Sequence, residues 1–349
     1  MAQLRAVETG WMADELRADQ SWIHVLSASE IAEIEAAIAH ARSRGLTCAT
    51  LTQGDFPLPT VSALLERVRQ ALEGRYGLMV MRCFPVERYS VQDLRLMYWG
   101  IGLHTGVAVS QSRNGDLLGD VKNFNSDVNS AKGRGYTSKQ RLHFHTDSCD
   151  VVCLVVLKTA QSGGISMIAS SLAIHHEIAR TRPDLLKVLY EPYYWSWQEQ
   201  EASGALPYYP QPIFTSEHGY FSSRYIRTHI ESAQRFPEVP RLTSAQIEAM
   251  DLIDQLCNEP RFGLSMKFEP GDFQFLNNHV TYHARTEFDD YPEPERRRHL
   301  LRMWLSVPNS RPLNASMGTL YTDRSPGAVR GGFPSRVGRY VYETLGWDV

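Results

Sequence analysis

From Leu142 to Val307 the chain breaks into short apolar runs divided by turn residues, and that texture limits the fold more than any other feature. The runs "HFHTD", "VVCLVVLK", "SMIAS", "PIFTS", "GYFSSRYI", "LSMKFEPGDFQFLNN" and "HLLRMWLSV" have strand length and carry β-branched and aromatic residues. Helical insertions interrupt them near 171–189 and 243–257. Many short strands in one span predict a sandwich or double-sheet jelly roll, mostly β with flanking helices (α+β). No internal repeat is visible.

Residues 1–75 read as helical instead. "SASEIAEIEAAIAHARSRG" opens with Ser27 or Ser29 as cap, carries apolar residues at helical spacing and stops at Gly45. "FPLPTVSALLERVRQALEGRYG" repeats that pattern, with prolines ahead of it and Gly74 behind. "YGLMVMRCF" predicts a buried strand and "SVQDLRLMYWGIGLHTG" a third helix. Residues 110–140 are rich in Gly, Asn, Ser and Asp and predict a long loop, a kind of segment that commonly carries function. The N-terminal helices are expected to buttress the sheets rather than stand alone.

Composition narrows the function classes. The chain has 349 residues, 43% hydrophobic and 21% charged, with a net charge of −3, which leaves room for a large core. Near-neutral charge without a basic block argues against a nucleic-acid surface. No apolar stretch approaches a membrane span, and "MAQLRAVETGWMADELRADQ" lacks the apolar core of a signal peptide. Cys48, Cys83, Cys149, Cys153 and Cys257 are odd in number and scattered, so reduced thiols in a cytoplasmic protein are expected. Cys149 and Cys153 have no second pair with which to build a zinc cluster.

Two stretches carry chemistry. In "LHFHTDSCD", His143, His145 and Asp147 would share one face of a continuous strand, more potential ligands than a surface strand requires. In "FEPGDFQFLNNHVTYHARTEFDDYPEPERRRHLLRMWLSV", His279 and His283 precede a strand on which Arg298, Leu300, Arg302 and Trp304 alternate onto one face. An inward arginine on an apolar strand is costly unless it meets an anion, and two suggest a dianionic ligand.

Together, "HTD…SGGIS…NNHVTYHARTEFDD…RRHLLRMWL" resembles the taurine dioxygenase and clavaminate synthase family of iron(II)- and 2-oxoglutarate-dependent oxygenases, over residues 75 to 310. The resemblance implies a double-stranded β-helix spanning 76–349, with 1–75 as a helical region packed on it in a single structural unit. It implies a facial triad of His145, Asp147 and His283 on ferrous iron. It places Arg302 on the distal carboxylate of 2-oxoglutarate and Arg298 near the proximal end. "GGIS" offers Ser166 where the family carries a supporting Thr. Two imidazoles and one carboxylate leave three cis positions open, as an oxygenase needs: two for 2-oxoglutarate and one for O2. The implied reaction is oxidation of a C–H bond of a small organic substrate, with release of succinate and carbon dioxide, in secondary metabolism. A homo-oligomer is left open.

Other readings of the same residues stand beside it. His143, His145 and His283 would make a cupin-like three-histidine site without 2-oxoglutarate; otherwise His143 supports the ligands or joins the core. His279 competes with His283 as distal ligand, with Ala284-Arg285 favouring His283. His175 and His176 fall on a helix as surface or packing residues. The aromatic stretch Tyr193–Tyr209 is either core or a substrate-facing lid. Arg224 and Arg227 either meet an acidic substrate group or are solvated. A non-catalytic binding protein on the same fold would be expected to have lost ligands.

Overall fold

In the computed structural model, which describes residues 4–5, 8–124 and 138–343, the run "VVCLVVLK" becomes a strand buried on both faces, and the layers form around it. The first part of the chain supplies helix α1 (Ala13–Ala18), strand β1 (Ile23–Val25), α2 (Ala28–Ser43), α3 (Val61–Leu72), β2 (Leu78–Arg82), α4 (Val91–Thr105), β3 (Val107–Val109) and β4 (Gly119–Val121). Next come β5 (Leu142–His145), β6 (Val151–Lys158), β7 (Ser162–Gly163), β8 (Ser166–Ser170), α5 (Ser171–Thr181) and α6 (Pro183–Leu189). Two antiparallel pairs follow, β9 (Pro192–Ser196) with β10 (Tyr208–Pro212) and β11 (Phe214–Glu217) with β12 (Tyr220–Ser223). Helices α7 (Arg227–Ala233) and α8 (Ser244–Asn258) lead to β13 (Gly263–Met266), β14 (Phe273–Asn277), β15 (Thr281–Arg285), β16 (Phe288–Asp289) and β17 (His299–Ser306).

The major sheet has the order β1-β2-β14-β6-β17-β3, with β4 also on β17; the minor sheet has the order β13-β8-β15-β5. Alternation along β6 divides its side chains between two cores. Val151, Cys153, Val155 and Leu157 join α2, α3 and α4 outside the major sheet. Val152 and Val156 face the interior between the sheets, with Leu276 and Leu300 from the major sheet and Ile168 and Leu264 from the minor. A third core packs α5, α6 and α8 on the outer face of the minor sheet, against Phe144, Ala169 and Tyr282. Two facing sheets wrapped by helices on both sides make the jelly roll that the strand texture predicts.

Helices α2, α4, α5 and α8 start at capping side chains, those of Ser27, Ser90, Ser170 and Thr243. Ser27 Oγ accepts from the Glu30 N–H while the Glu30 carboxylate accepts from the Ser27 N–H, which settles Ser27 as the cap of α2. On α3 the buried residues Val61, Leu64, Leu65, Val68 and Leu72 form one stripe against the sheet. Among the described residues, no helix is long and apolar enough to cross a membrane.

Two expectations are corrected. The helical first part also contributes β1, a parallel neighbour of β2; at three residues it is too short to show a period. Within the expected 110–140 loop, the start is interior: β4 pairs with β17, and Ser110, Gln111, Ser112 and Asp116 are buried. Their polar groups satisfy one another, Ser110 Oγ donating to the Ser112 carbonyl at 2.6 Å and Ser112 Oγ to Asp116. The stretch 125–137 lies outside the described residues.

Candidate metal centre

His145 ends β5 directly opposite His283 on β15, and their rings lie 4.3 Å apart. Past the strand end the chain turns, and the Asp147 N–H donates to Asn278 Oδ1 at 2.9 Å, which brings its carboxylate back to the two rings. Donor atoms of His145, Asp147 and His283 lie within 4.8 Å of one another. His143 does not join them. The pairing slips between His283 opposite His145 and Arg285 opposite Leu142, so β5 carries an extra residue. His143 leaves the expected face and its side chain is exposed, which removes the three-histidine reading and its placement in the core. What His143 contributes is its carbonyl, which accepts from His145 Nδ1 at 2.7 Å. A carbonyl only accepts, so Nδ1 carries the proton and Nε2 keeps its lone pair for a cation.

The electrostatics suit a cation. Burial, reinforced by His145, pushes the His283 imidazole down to about 3, so it is neutral. Burial likewise lowers His145. Burial opposes ionisation of Asp147, but Arg302 and the two imidazoles outweigh it and hold the carboxyl below its ordinary value. Asp147 Oδ2 and His283 Nδ1 are buried with no hydrogen-bond partner. An orphaned imidazole nitrogen and carboxylate oxygen, with a second neutral imidazole beside them, are what a divalent metal such as iron satisfies.

The arginine strand lies alongside. On β17, Leu300 and Trp304 face the interior while Leu301, Met303 and Leu305 face the helices, so the expected alternation holds. Arg302 Nη1 lies 3.5 Å from Asp147 Oδ1, and its Nε donates to Gln111 Oε1 at 2.8 Å. Arg298 is four residues earlier, about 13 Å along an extended strand, above the Phe288 ring at 5.0 Å. This is the opposite order from the one the resemblance implies: Arg302 stands at the metal end and Arg298 at the far end. Burial lowers Arg298 to about 10, and burial together with Arg298 lowers Arg285 to about 9. Each has a buried Nη1 without a partner. Two crowded guanidinium groups with spare donors fit the far carboxylate of 2-oxoglutarate. Ser166 is at the same end, buried and opposite Arg285. The glycine pair ahead of it is needed: at Gly163, with φ of +70°, a Cβ would lie 2.1 Å from the Glu287 carbonyl oxygen.

Residues 43–304 match the family described as taurine catabolism dioxygenase TauD, TfdA family. The chain belongs to that family. It is therefore an iron(II)- and 2-oxoglutarate-dependent dioxygenase that oxidises a small organic molecule. This TauD/TfdA dioxygenase is 30% identical over 318 residues to FR-33289 synthase of Streptomyces rubellomurinus, covering 88% of this chain and 92% of that one. Its fold is similar to the crystal structure of asparagine oxygenase in complex with Fe(II), 2S,3S-3-hydroxyasparagine and succinate. There the TM-score is 0.62, at 18% identity over 81% of this chain and 93% of that one. It is also similar to the non-heme iron oxygenase OrfP in complex with Fe and alpha-ketoglutaric acid, with a TM-score of 0.61, 14% identity and the same coverage.

The remaining candidates of the TauD/TfdA chain fall elsewhere. His279 is buried against Asp150 at 2.8 Å, and Asp150 also takes Arg330 at 2.9 Å. That makes His279 part of an internal ion network. His175 packs among Tyr190, Phe214 and Phe221, and burial lowers it to about 4. Arg227 pairs with Glu231, Asp251 and Asp254 at the surface. In the aromatic stretch Tyr193, Trp195 and Tyr209 are core, while Tyr194, Trp197 and Tyr208 are half-buried, Trp197 lying 4.2 Å from Tyr209 and 6.2 Å from Phe333. Gln111 and Asn278 were missed. Each is a polar residue in a stretch that reads as turn or loop, with no periodic signal to single it out.

Proposed function

We propose that His145, Asp147 and His283 hold the ferrous iron, and that the enzyme hydroxylates a small organic molecule in a biosynthetic sequence. The observation that carries the site assignment is the convergence of the buried Asp147 carboxylate and two half-buried, neutral imidazoles beside Arg302. Bound together, iron(II) and 2-oxoglutarate activate O2 for C–H oxidation with release of succinate and carbon dioxide. The chain's part is placement. The His143 carbonyl and Asn278 aim two of the ligands. Arg302, clamped by Gln111, serves the keto-acid end of 2-oxoglutarate, while Arg298, Arg285 and Ser166 take its far carboxylate. Trp304 and Phe333 line the interior beside these donors and would keep bulk water from the substrate C–H bond. The synthase named among the relatives supports a biosynthetic role.

We further propose that the helices of 1–75 and the sheets of 76–349 act as one unit, since α2, α3 and β6 share a core. The test of function is succinate release on adding iron(II), ascorbate and 2-oxoglutarate, abolished by a chelator. Oxygen consumption that ignores 2-oxoglutarate would instead favour the cupin-type reaction.

A further inference from the structure

Beyond β17 the chain returns over the segment that carries Gln111. The family match spans residues 43–304, so this later stretch lies outside it. Its start is fixed beside the metal donors. Arg330 is buried on Asp150, and its N–H and carbonyl both bond to Ser306 Oγ of β17, at 2.9 and 2.7 Å. The Gly332 N–H donates to the carbonyl of Ser148, the residue after Asp147, at 2.6 Å. Ser148 Oγ in turn accepts from Arg224 at 3.0 Å; that guanidinium is not solvated but buried against the Trp195 and Tyr209 rings.

From Phe333 onward the chain is stitched to residues 110–117. The Phe333 N–H donates to the Ser110 carbonyl at 2.8 Å, and the Arg336 N–H to the Arg113 carbonyl at 2.7 Å. Further along, the Val341 N–H donates to the Gly115 carbonyl at 2.9 Å, and the Leu117 N–H donates to the Val341 carbonyl at 2.9 Å. Val341 is the parallel bridge partner of Asp116. The approach is close: a Cβ on Gly115 would lie 2.1 Å from the Arg339 carbonyl oxygen. The far end is anchored on α4. There the Tyr342 carbonyl accepts from Arg95 Nη1 at 3.1 Å, and the Tyr342 ring meets Trp99 edge to face at 4.8 Å.

What is held here is the mount of the Arg302 clamp. The Gln111 N–H donates to the Asp116 carbonyl at 2.8 Å. Gln111 Nε2, which also donates to the Arg302 carbonyl, reaches the Leu117 carbonyl at 3.3 Å. Asp116 and Leu117 are therefore both the residues on which Gln111 rests and the residues that Val341 pairs. The segment lies between β3 and β4 without a regular ladder of its own. Conformational entropy works against any single arrangement of such a segment, so bonds from outside decide it.

We infer that residues 333–342 are a positioning strap for 2-oxoglutarate. By holding Asp116 and Leu117 the strap keeps Gln111 where it fixes the Arg302 guanidinium. Cosubstrate affinity thereby depends on a stretch of chain beyond the sheets. The inference rests on the assignment of Arg302 to 2-oxoglutarate. Val341 and Tyr342 are positioning residues, acting through Gln111.

Val341→Pro deletes the N–H that meets Gly115, and Tyr342→Ala removes the ring that meets Trp99. Val341→Ala keeps the N–H and is the control. Amide hydrogen exchange is followed in the metal-free full chain, and 2-oxoglutarate binding by calorimetry after anaerobic loading with iron(II). In Val341→Pro the Gln111 and Leu117 N–H groups exchange about tenfold faster, while those of β6 keep wild-type rates. Affinity for 2-oxoglutarate falls about fivefold in Val341→Pro and in Tyr342→Ala, the worth of about one hydrogen bond. Val341→Ala stays within about twofold of wild type, as does iron(II) affinity in every strap variant. On a Gln111→Leu background Val341→Pro weakens 2-oxoglutarate no further, because the clamp it supports is already gone. Losses that multiply in that double variant, or unchanged 2-oxoglutarate affinity in both strap variants, overturn the inference. So does a parallel fall in iron(II) affinity and Tm, which would make the strap a structural brace. If Arg302→Leu itself leaves 2-oxoglutarate affinity unchanged, the assignment of Arg302 falls and the inference with it. If Arg302→Leu weakens it and Val341→Pro does not, the inference alone falls.

Discussion

Gln111 grips Arg302 at two points: its Oε1 accepts from Arg302 Nε at 2.8 Å, and its Nε2 donates to the Arg302 carbonyl at 3.0 Å. Side chain and backbone of the arginine are fixed together, in the plane from which it reaches Asp147. Gln111→Leu should raise the 2-oxoglutarate requirement by about tenfold, the worth of one or two buried hydrogen bonds. Steady-state kinetics against iron titration checks this; iron affinity should change far less.

The two arginines of β17 should separate. Arg298→Leu is expected to raise the 2-oxoglutarate KM by roughly a hundredfold, from the cost of stranding a buried carboxylate, and to leave iron binding unchanged. Arg302→Leu should disturb both, because Arg302 also touches Asp147. Arg298→Lys should recover only part, since an ammonium lacks the planar fork. Iron binding that fails in Arg298→Leu and survives in Arg302→Leu would reverse the two roles.

Metal content distinguishes the histidines. His145→Ala, Asp147→Ala and His283→Ala should each weaken iron binding by about a hundredfold or more, with little change in Tm. His279→Ala should keep its iron and instead lose roughly 1–3 kcal/mol of stability, from a buried hydrogen bond left unmade. Elemental analysis after desalting, beside thermal unfolding, separates the two classes.

A stability change in acid should trace to Asp120. This buried carboxylate on β4 accepts from Arg95 on α4 at 2.6 Å and from His299 on β17 at 2.5 Å. Burial opposes its ionisation, but His299 and Arg95 prevail and bring it down to about 2 from 3.8. A folded-state value below the unfolded one stabilises the protein above about pH 4, and that contribution disappears as pH falls through 2. The size is about 2 kcal/mol. Urea unfolding between pH 5 and 2 should show this slope in wild type and a flatter one in Asp120→Asn.

The aromatic stretch should split at Trp197. Trp195→Ala empties a fully buried site and should cost about 3–5 kcal/mol. Trp197→Ala, half-buried against Phe333, should cost much less stability and instead uncouple turnover, giving succinate in excess over oxidised substrate. Equal destabilisation by both would make the whole stretch core.

Much of this was legible because the signals were local. "VVCLVVLK" could only be a buried strand, and alternation placed Arg298 and Arg302 on one face without any structure. What alternation cannot say is which end of that face meets the metal, because this depends on how the turn after His145 brings Asp147 beside Arg302. His143 was misplaced for a related reason: a bulge breaks the period of two, and no residue type announces it. Gln111 and Arg330 act across more than a hundred residues, on Arg302 and Asp150, from segments that read as loop. Arg224 was visible as a charge, but its burial comes from the pairing of β9 with β10.

Strand β5 ends its sheet: it pairs with β15 and, among the described residues, with no other strand. Four residues on a single bulged ladder separate from the body of a protein at far less free energy than global unfolding requires. One imidazole of the centre belongs to that edge and another to the strand inside it, so a cation shared by both is a rivet through the seam. Its binding free energy falls on the least anchored strand of the sheet. Empty and loaded enzyme should then differ less in shape than in how often that edge peels away.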